Sequence, residues 1–171
     1  MLYTFEMETI TCPGCGVELP VKNLPESDMF NASGECWEKY IELSASTTIL
    51  YDRDFIHQTA IDTYEAQHGG GKTKPIAVVF GLAGLYLRLE KDYPVQVIQK
   101  IHMKLARKTR EWPRLVPPTH HFEKTVVDAL QANSDIERRA KILAWANATW
   151  DAWKRDHGTL RDIVDKNLLK N

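Results

Sequence analysis

The chain has 171 residues, which suits one domain with a single core. Its net charge is −1, with 43% hydrophobic and 26% charged residues, so no global field draws it to nucleic acid or an anionic membrane. The most apolar stretch, Pro75 to Leu87, is shorter than the ~20 residues a bilayer span needs, and the start MLYTFEMETI lacks a signal-peptide pattern. The expectation is a cytoplasmic protein with no membrane partner.

Residues 1–33 differ from the rest. Glu6, Glu8, Glu18, Glu26 and Asp28 outnumber Lys22, and Pro13, Gly14, Gly16, Pro20 and Pro25 break any long periodicity. This segment reads as an irregular arm packed on a helical body spanning 34–171, the whole forming one domain. At most the arm supplies a small hairpin around its cysteines.

Within the arm, Cys12-Pro13-Gly14-Cys15-Gly16 is a turn that brings two thiolates to one ion. Gly16 supplies the positive φ that turns backbone N–H groups toward sulfur. Three cysteines cannot all pair in intrachain disulfides, and in a reducing compartment a close CxxC favours metal over a bridge. Cys36 lies three residues after Ser33, the expected N-cap of the first helix. There the helix dipole favours the thiolate.

The expected cofactor is therefore a structural zinc held by Cys12, Cys15, Cys36 and one histidine. Antiparallel packing of the first two helices ranks His68 first, His57 second and His157 third. The competing readings are a redox pair, an iron–sulfur cluster and three unrelated buried thiols. A redox CxxC, however, opens a helix directly, and here the helix arrives some twenty residues later.

The body reads as all-α, a bundle of about five to six helices. Helices are expected from Ser33 to about Ser46, and from Arg53, capped by Asp52, to His68. A further helix over 75–91 is apolar on nearly every side and belongs at the centre. The next runs over 94–110, with Val97, Ile98, Ile101 and Leu105 as its apolar face. Thr125 opens a short helix. Ser134 and Glu137 form a capping box for the longest one, expected to end at Gly158, with Thr159 capping a last helix.

Other polar groups suggest chemistry less directly. His57, Tyr64 and His68 share one face of the second helix, whereas Asp62 points away from it. An enzymatic reading requires His57, Asp62, Tyr64, Trp150 and His157 to converge on one pocket. The plainer reading has them buried, capping or locally hydrogen-bonded. His120 and His121 form a pair in a proline-flanked loop, weak evidence for metal.

Gly69-Gly70-Gly71-Lys72-Thr73 is not a phosphate loop. Ala66 stands where the first glycine is required, and the segment follows a helix, not a strand. Lys100, Lys104, Arg107 and Lys108 gather positive charge on the fourth helix with no acid between them. Such a patch suits an anion such as nucleic-acid phosphate, although a solvated helix face is its usual meaning.

The order CPGCG (12–16), ECW (35–37), H-x4-D-x-Y-x2-QH (57–68), GLAGLYL (81–87), EWPRLVPP (111–118), TVVDAL (125–130) and W-x2-W-x3-HG-x2-R (150–161) resembles a bacterial family known only as a domain of unknown function. The resemblance spans nearly the whole chain. It implies a cysteine knuckle followed by helices, and a metal site, but no reaction. The family pattern has His-Pro-Gly where this chain has His68-Gly69-Gly70, and a histidine where it has Gly81. An activity depending on that histidine is not expected here. The resulting expectation is a zinc-stabilised module that binds a protein or small molecule, with an enzyme and a nucleic-acid-associated protein as the alternatives.

Overall fold

The computed structural model describes residues 8–49, 56–108, 111–119 and 122–169. In the arm, β1 (Thr9–Thr11) and β2 (Glu18–Pro20) pair antiparallel, with Ile10 opposite Leu19. The cysteine turn joins them. Cys12 N–H donates to the Val17 carbonyl at 2.8 Å, and Gly16, at φ 78°, donates to the Cys12 carbonyl at 2.9 Å.

The body is helical, as expected. Among the described residues it holds seven α-helices, against the five to six given for the bundle, and the short helix after Thr125 and the last helix are both among them. They are α1 (Gly34–Thr48), α2 (Ile56–Gln67), α3 (Pro75–Leu89), α4 (Val95–Lys108), α5 (Val126–Leu130), α6 (Asp135–Ala152) and α7 (His157–Leu169). The expected Asp52 cap and Arg53 start lie outside the described residues.

Local chemistry sets several boundaries. Ser33 Oγ accepts from Cys36 N–H at 3.2 Å. Thr125 and Asp128 form a reciprocal capping box, and Ser134 accepts from Glu137 N–H at 3.1 Å.

One expected boundary is wrong. The longest helix stops at Ala152, not at Gly158; a 3-10 turn over Lys154–Asp156 follows, and Gly158 lies inside α7. The cause is tertiary. The Trp153 indole is buried and donates to the Ala66 carbonyl of α2 at 3.0 Å, so the chain must turn where Trp153 is anchored.

Helix α3 occupies the centre, packed against α2, α4, α6 and α7. Val79, Leu82, Leu85 and Leu87 are fully buried on it. Gly81 and Gly84 let α2 approach. A Cβ on Gly81 would stand 2.9 Å from Ala66 N, so at this spacing no side chain, histidine included, fits there. On α4 the buried face is Val95, Ile98, Ile101 and Leu105, while Val97, expected inside, is 37% exposed.

Candidate metal centre

Helices α1 and α2 run antiparallel. At one end Thr47 Oγ1 meets His57 Nδ1 at 2.8 Å; at the other, Cys36 meets His68. His68 is the first residue past α2, and its N–H still bonds back to the Tyr64 carbonyl at 3.1 Å. The arm folds over this second end. Asn31 N–H donates to Thr73 Oγ1 at 2.8 Å, and Thr73 Oγ1 donates to the His68 carbonyl. A Cβ on Gly14 would press into the Asn31 carbonyl and come within 2.7 Å of His68 Cδ2, so glycine is needed for the turn to close on the histidine.

The result is a buried cluster of Cys12, Cys15, Cys36 and His68 whose ligand atoms all lie within 4.8 Å of one another. Cys15 Sγ and Cys36 Sγ are 3.8 Å apart, and Cys36 Sγ is 3.3 Å from His68 Nε2. Sulfurs on a tetrahedral ion at ~2.3 Å would stand roughly 3.8 Å apart. His68 Nδ1 faces the Tyr64 carbonyl at 2.8 Å. A carbonyl can only accept, so Nδ1 carries the proton and Nε2 keeps its lone pair toward the sulfurs. The donor set and its spacing are close enough to hold a metal ion.

The thiols lie close enough to govern one another's ionisation. Hydrogen bonds from Cys15 and Cys36 hold the Cys12 thiol far below its usual range. The same bonds, led by the one to Cys12, push Cys15 well up, and Cys36 rises to about 12. The crowded thiols thus oppose ionising all three together, and an ion is what would stabilise three thiolates. All three cysteines are free thiols.

The other candidate residues fall in separate places. Tyr64 belongs to the cluster's surroundings: its hydroxyl donates to Cys36 Sγ at 3.6 Å, and its ring stacks on His68 and Tyr40. His57 sits at the opposite end of α2 with Thr47; burial lowers its basicity. Asp62 lies buried against Gly84 and accepts from Gln58 Nε2 at 2.9 Å, with desolvation raising its pKa well above the usual range.

Trp150 and His157 stack with ring centroids 3.7 Å apart, and His157 Nε2 meets the Trp150 carbonyl at 2.9 Å. Trp150 Nε1 donates to Glu90, which Arg161 also grips with two hydrogen bonds. Lys100, Lys104, Arg107 and Lys108 line a shallow surface groove with Met103. His120 and His121 lie outside the described residues.

The family described as "Family of unknown function (DUF5946)" matches residues 10–154, from the first strand of the knuckle to the turn after α6. The chain belongs to this family. The match includes the three cysteines and His68 and leaves α7 outside it. Neither a curated protein nor a solved structure matches the chain.

Sequence reasoning missed two contributors. Glu35 is 2% exposed in the first turn of α1 and accepts from the backbone N–H of Lys22 at 2.9 Å and of Leu24 at 3.4 Å, tying the arm to the body. The ECW triplet marked its position but not its partners. Glu65, on α2, lines a cavity formed by three segments distant in sequence, and no local pattern announces it.

Proposed function

We propose that this family member is a zinc-stabilised helical module, in which a structural Cys3His zinc clamps the arm to the body and the assembled surface binds a partner. The observation that carries this reading is the buried set of four donors from the arm, the first turn of α1 and the end of α2. Zinc is the ion that fits three thiolates and an imidazole at tetrahedral spacing. Four protein donors leave no open position, so the ion contributes folding energy and not chemistry. An arm with few buried apolar residues needs such a clamp.

The test is elemental analysis of the purified full chain, with melting curves before and after a chelator. About one zinc per chain, lost together with stability in Cys12→Ser/Cys15→Ser, is expected for a structural site. Zinc content unchanged in that double variant would overturn the reading.

A second reading rests on α4, where Lys100, Lys104 and Arg107 make no ion pair among the described residues and flank Met103, which is 55% exposed. Such a face suits a polyanion, and nucleic acid is the case to test. A short duplex should be retarded in low salt and released as salt rises, with a smaller salt dependence in Lys100→Glu/Lys104→Glu. Absence of retardation at low salt would remove this reading.

A further inference from the structure

Beside the metal centre, residues 28–30 of the arm, Glu65 of α2 and the first turn of α3 enclose a cavity of about 240 Å³. Its apolar wall includes Met29, Phe30 and Ile76. Its polar groups are of opposite sign, Asp28 and Glu65 against Lys72 and Lys74, with no ion pair among these four. The Glu65 carboxyl has no hydrogen-bond or ion-pair partner among the described residues. Lys72 reaches outward to Glu26 at 3.3 Å, both side chains being exposed. Lys74 is the N-cap of the fifteen-residue α3, whose first turn receives no side-chain cap.

Glu65 is half-buried in the wall and pairs with neither lysine. A plain anion would satisfy the lysines and the helix N-terminus while leaving a carboxylate facing it; a plain cation would do the reverse. A ligand carrying both charges and an apolar group satisfies every part of the lining.

We propose that this cavity binds a free amino acid with an apolar side chain, its carboxylate at Lys72, Lys74 and the start of α3, its ammonium at Glu65, and its side chain against Met29, Phe30 and Ile76. This rests on the zinc-clamp reading in one respect: the arm that supplies one wall is held down through Asn31 and the cysteine turn. Burial pushes the Glu65 carboxyl up to about 8, and an ammonium beside it would favour the ionised form that pairs with it.

The experiment is calorimetric titration of the full chain with L-leucine, in samples whose zinc content has been measured. Saturable binding is expected. The analogue without the ammonium, 4-methylpentanoate, and the one without the carboxylate, 3-methylbutylamine, should each bind at least ~10-fold more weakly, as loss of one charged contact implies. Glu65→Gln should weaken L-leucine and leave 4-methylpentanoate unchanged. Lys74→Ala, at an exposed position whose side chain makes no cap hydrogen bond, should weaken L-leucine as well.

Failure of L-leucine, L-methionine and L-phenylalanine to saturate the protein up to about 10 mM would overturn the proposal. So would equal affinity for 4-methylpentanoate. A zinc-loaded sample that binds none of them defeats this site alone. A sample without zinc defeats the clamp, and the titration still decides the cavity.

Discussion

His68 turns its two ring nitrogens to different tasks with respect to Tyr64 and the sulfurs: Nδ1 lies 2.8 Å from the Tyr64 carbonyl, which leaves Nε2 facing Cys36 Sγ at 3.3 Å. Tyr64 also donates its hydroxyl to Cys36 Sγ at 3.6 Å and stacks its ring on the imidazole at 3.8 Å. One residue therefore orients two of the four donors. Burial, with the neighbouring thiols, holds its phenol far above the ordinary range, so the hydroxyl remains a donor.

Tyr64→Phe keeps the stack and removes only that hydroxyl. Outer contacts of this kind are worth roughly 10–100-fold in metal affinity. Competition with a chromophoric chelator should show about a 10-fold loss of zinc affinity, at the low end because sulfur is a weak acceptor and the bond is long at 3.6 Å. Circular dichroism should show the same helix content. Unchanged affinity would mean that the hydroxyl does not tune the sulfur.

Asp62 and Gly84 form a second coupled pair. The Asp62 carboxyl lies directly over the Gly84 Cα, and a Cβ there would sit deep inside the radius of Oδ2. Gly84→Ala should cost on the order of 3 kcal/mol, because α2 and α3 are closely packed and the acid is buried. Asp62→Ala in the same chain vacates that space. A double-mutant cycle by urea unfolding should return a coupling of about 1–2 kcal/mol, with the double variant more stable than the summed singles predict. Strict additivity would show that the two do not meet.

The pH dependence of stability should carry a signature of His102. Its ring stacks on Phe80 with centroids 4.9 Å apart, and its Nε2 is buried without a hydrogen-bond partner. Burial lowers its pKa to about 4. The unfolded chain binds this proton near pH 6.5 and the folded chain only near 4. Between those values the unfolded state holds more protons, so stability is complete above pH 6.5 and falls as pH drops toward 4. His102→Phe should flatten that decline in urea midpoints taken from about pH 7.5 to 4.5. The zinc ligands titrate alike in both proteins and cancel in the difference. Identical slopes would contradict the burial argument.

What could be read from the sequence was local. Ser33, Thr125 and Ser134 announce caps because an N-cap acts within three residues. The cysteine turn and its distance to Cys36 announce a donor set for the same reason, and antiparallel packing of two neighbouring helices was enough to bring His68 to it. What could not be read depends on distant partners. The break after Ala152 is set by an indole reaching Ala66, and Val97 is exposed because Val95 takes the inner position on α4. The Glu65 cavity needs the arm, α2 and α3 together. Trp150 and His157 do meet, stacked across the break between α6 and α7, but Glu90, some sixty residues earlier in the chain, joins them to the nearby Arg161.

Glu35 provides a second tie between arm and body, and it can be separated from the metal. Its Oε1 accepts two backbone N–H groups of the arm, from Lys22 and Leu24. The Lys22 bond foremost holds its carboxyl below the ordinary range, so this contribution is present at neutral pH and fades as pH falls below about 4.5. Glu35→Gln keeps an acceptor oxygen in place; Glu35→Ala leaves both donors without their partner. The alanine variant should melt lower than the glutamine variant, and amides over 20–25 should exchange faster in it. Zinc should remain near one per chain in both, because Cys36 keeps its Ser33 cap and the donor set is untouched. Loss of zinc in Glu35→Ala would mean that the arm has a single cooperative attachment, with the carboxylate and the ion each unable to hold it alone.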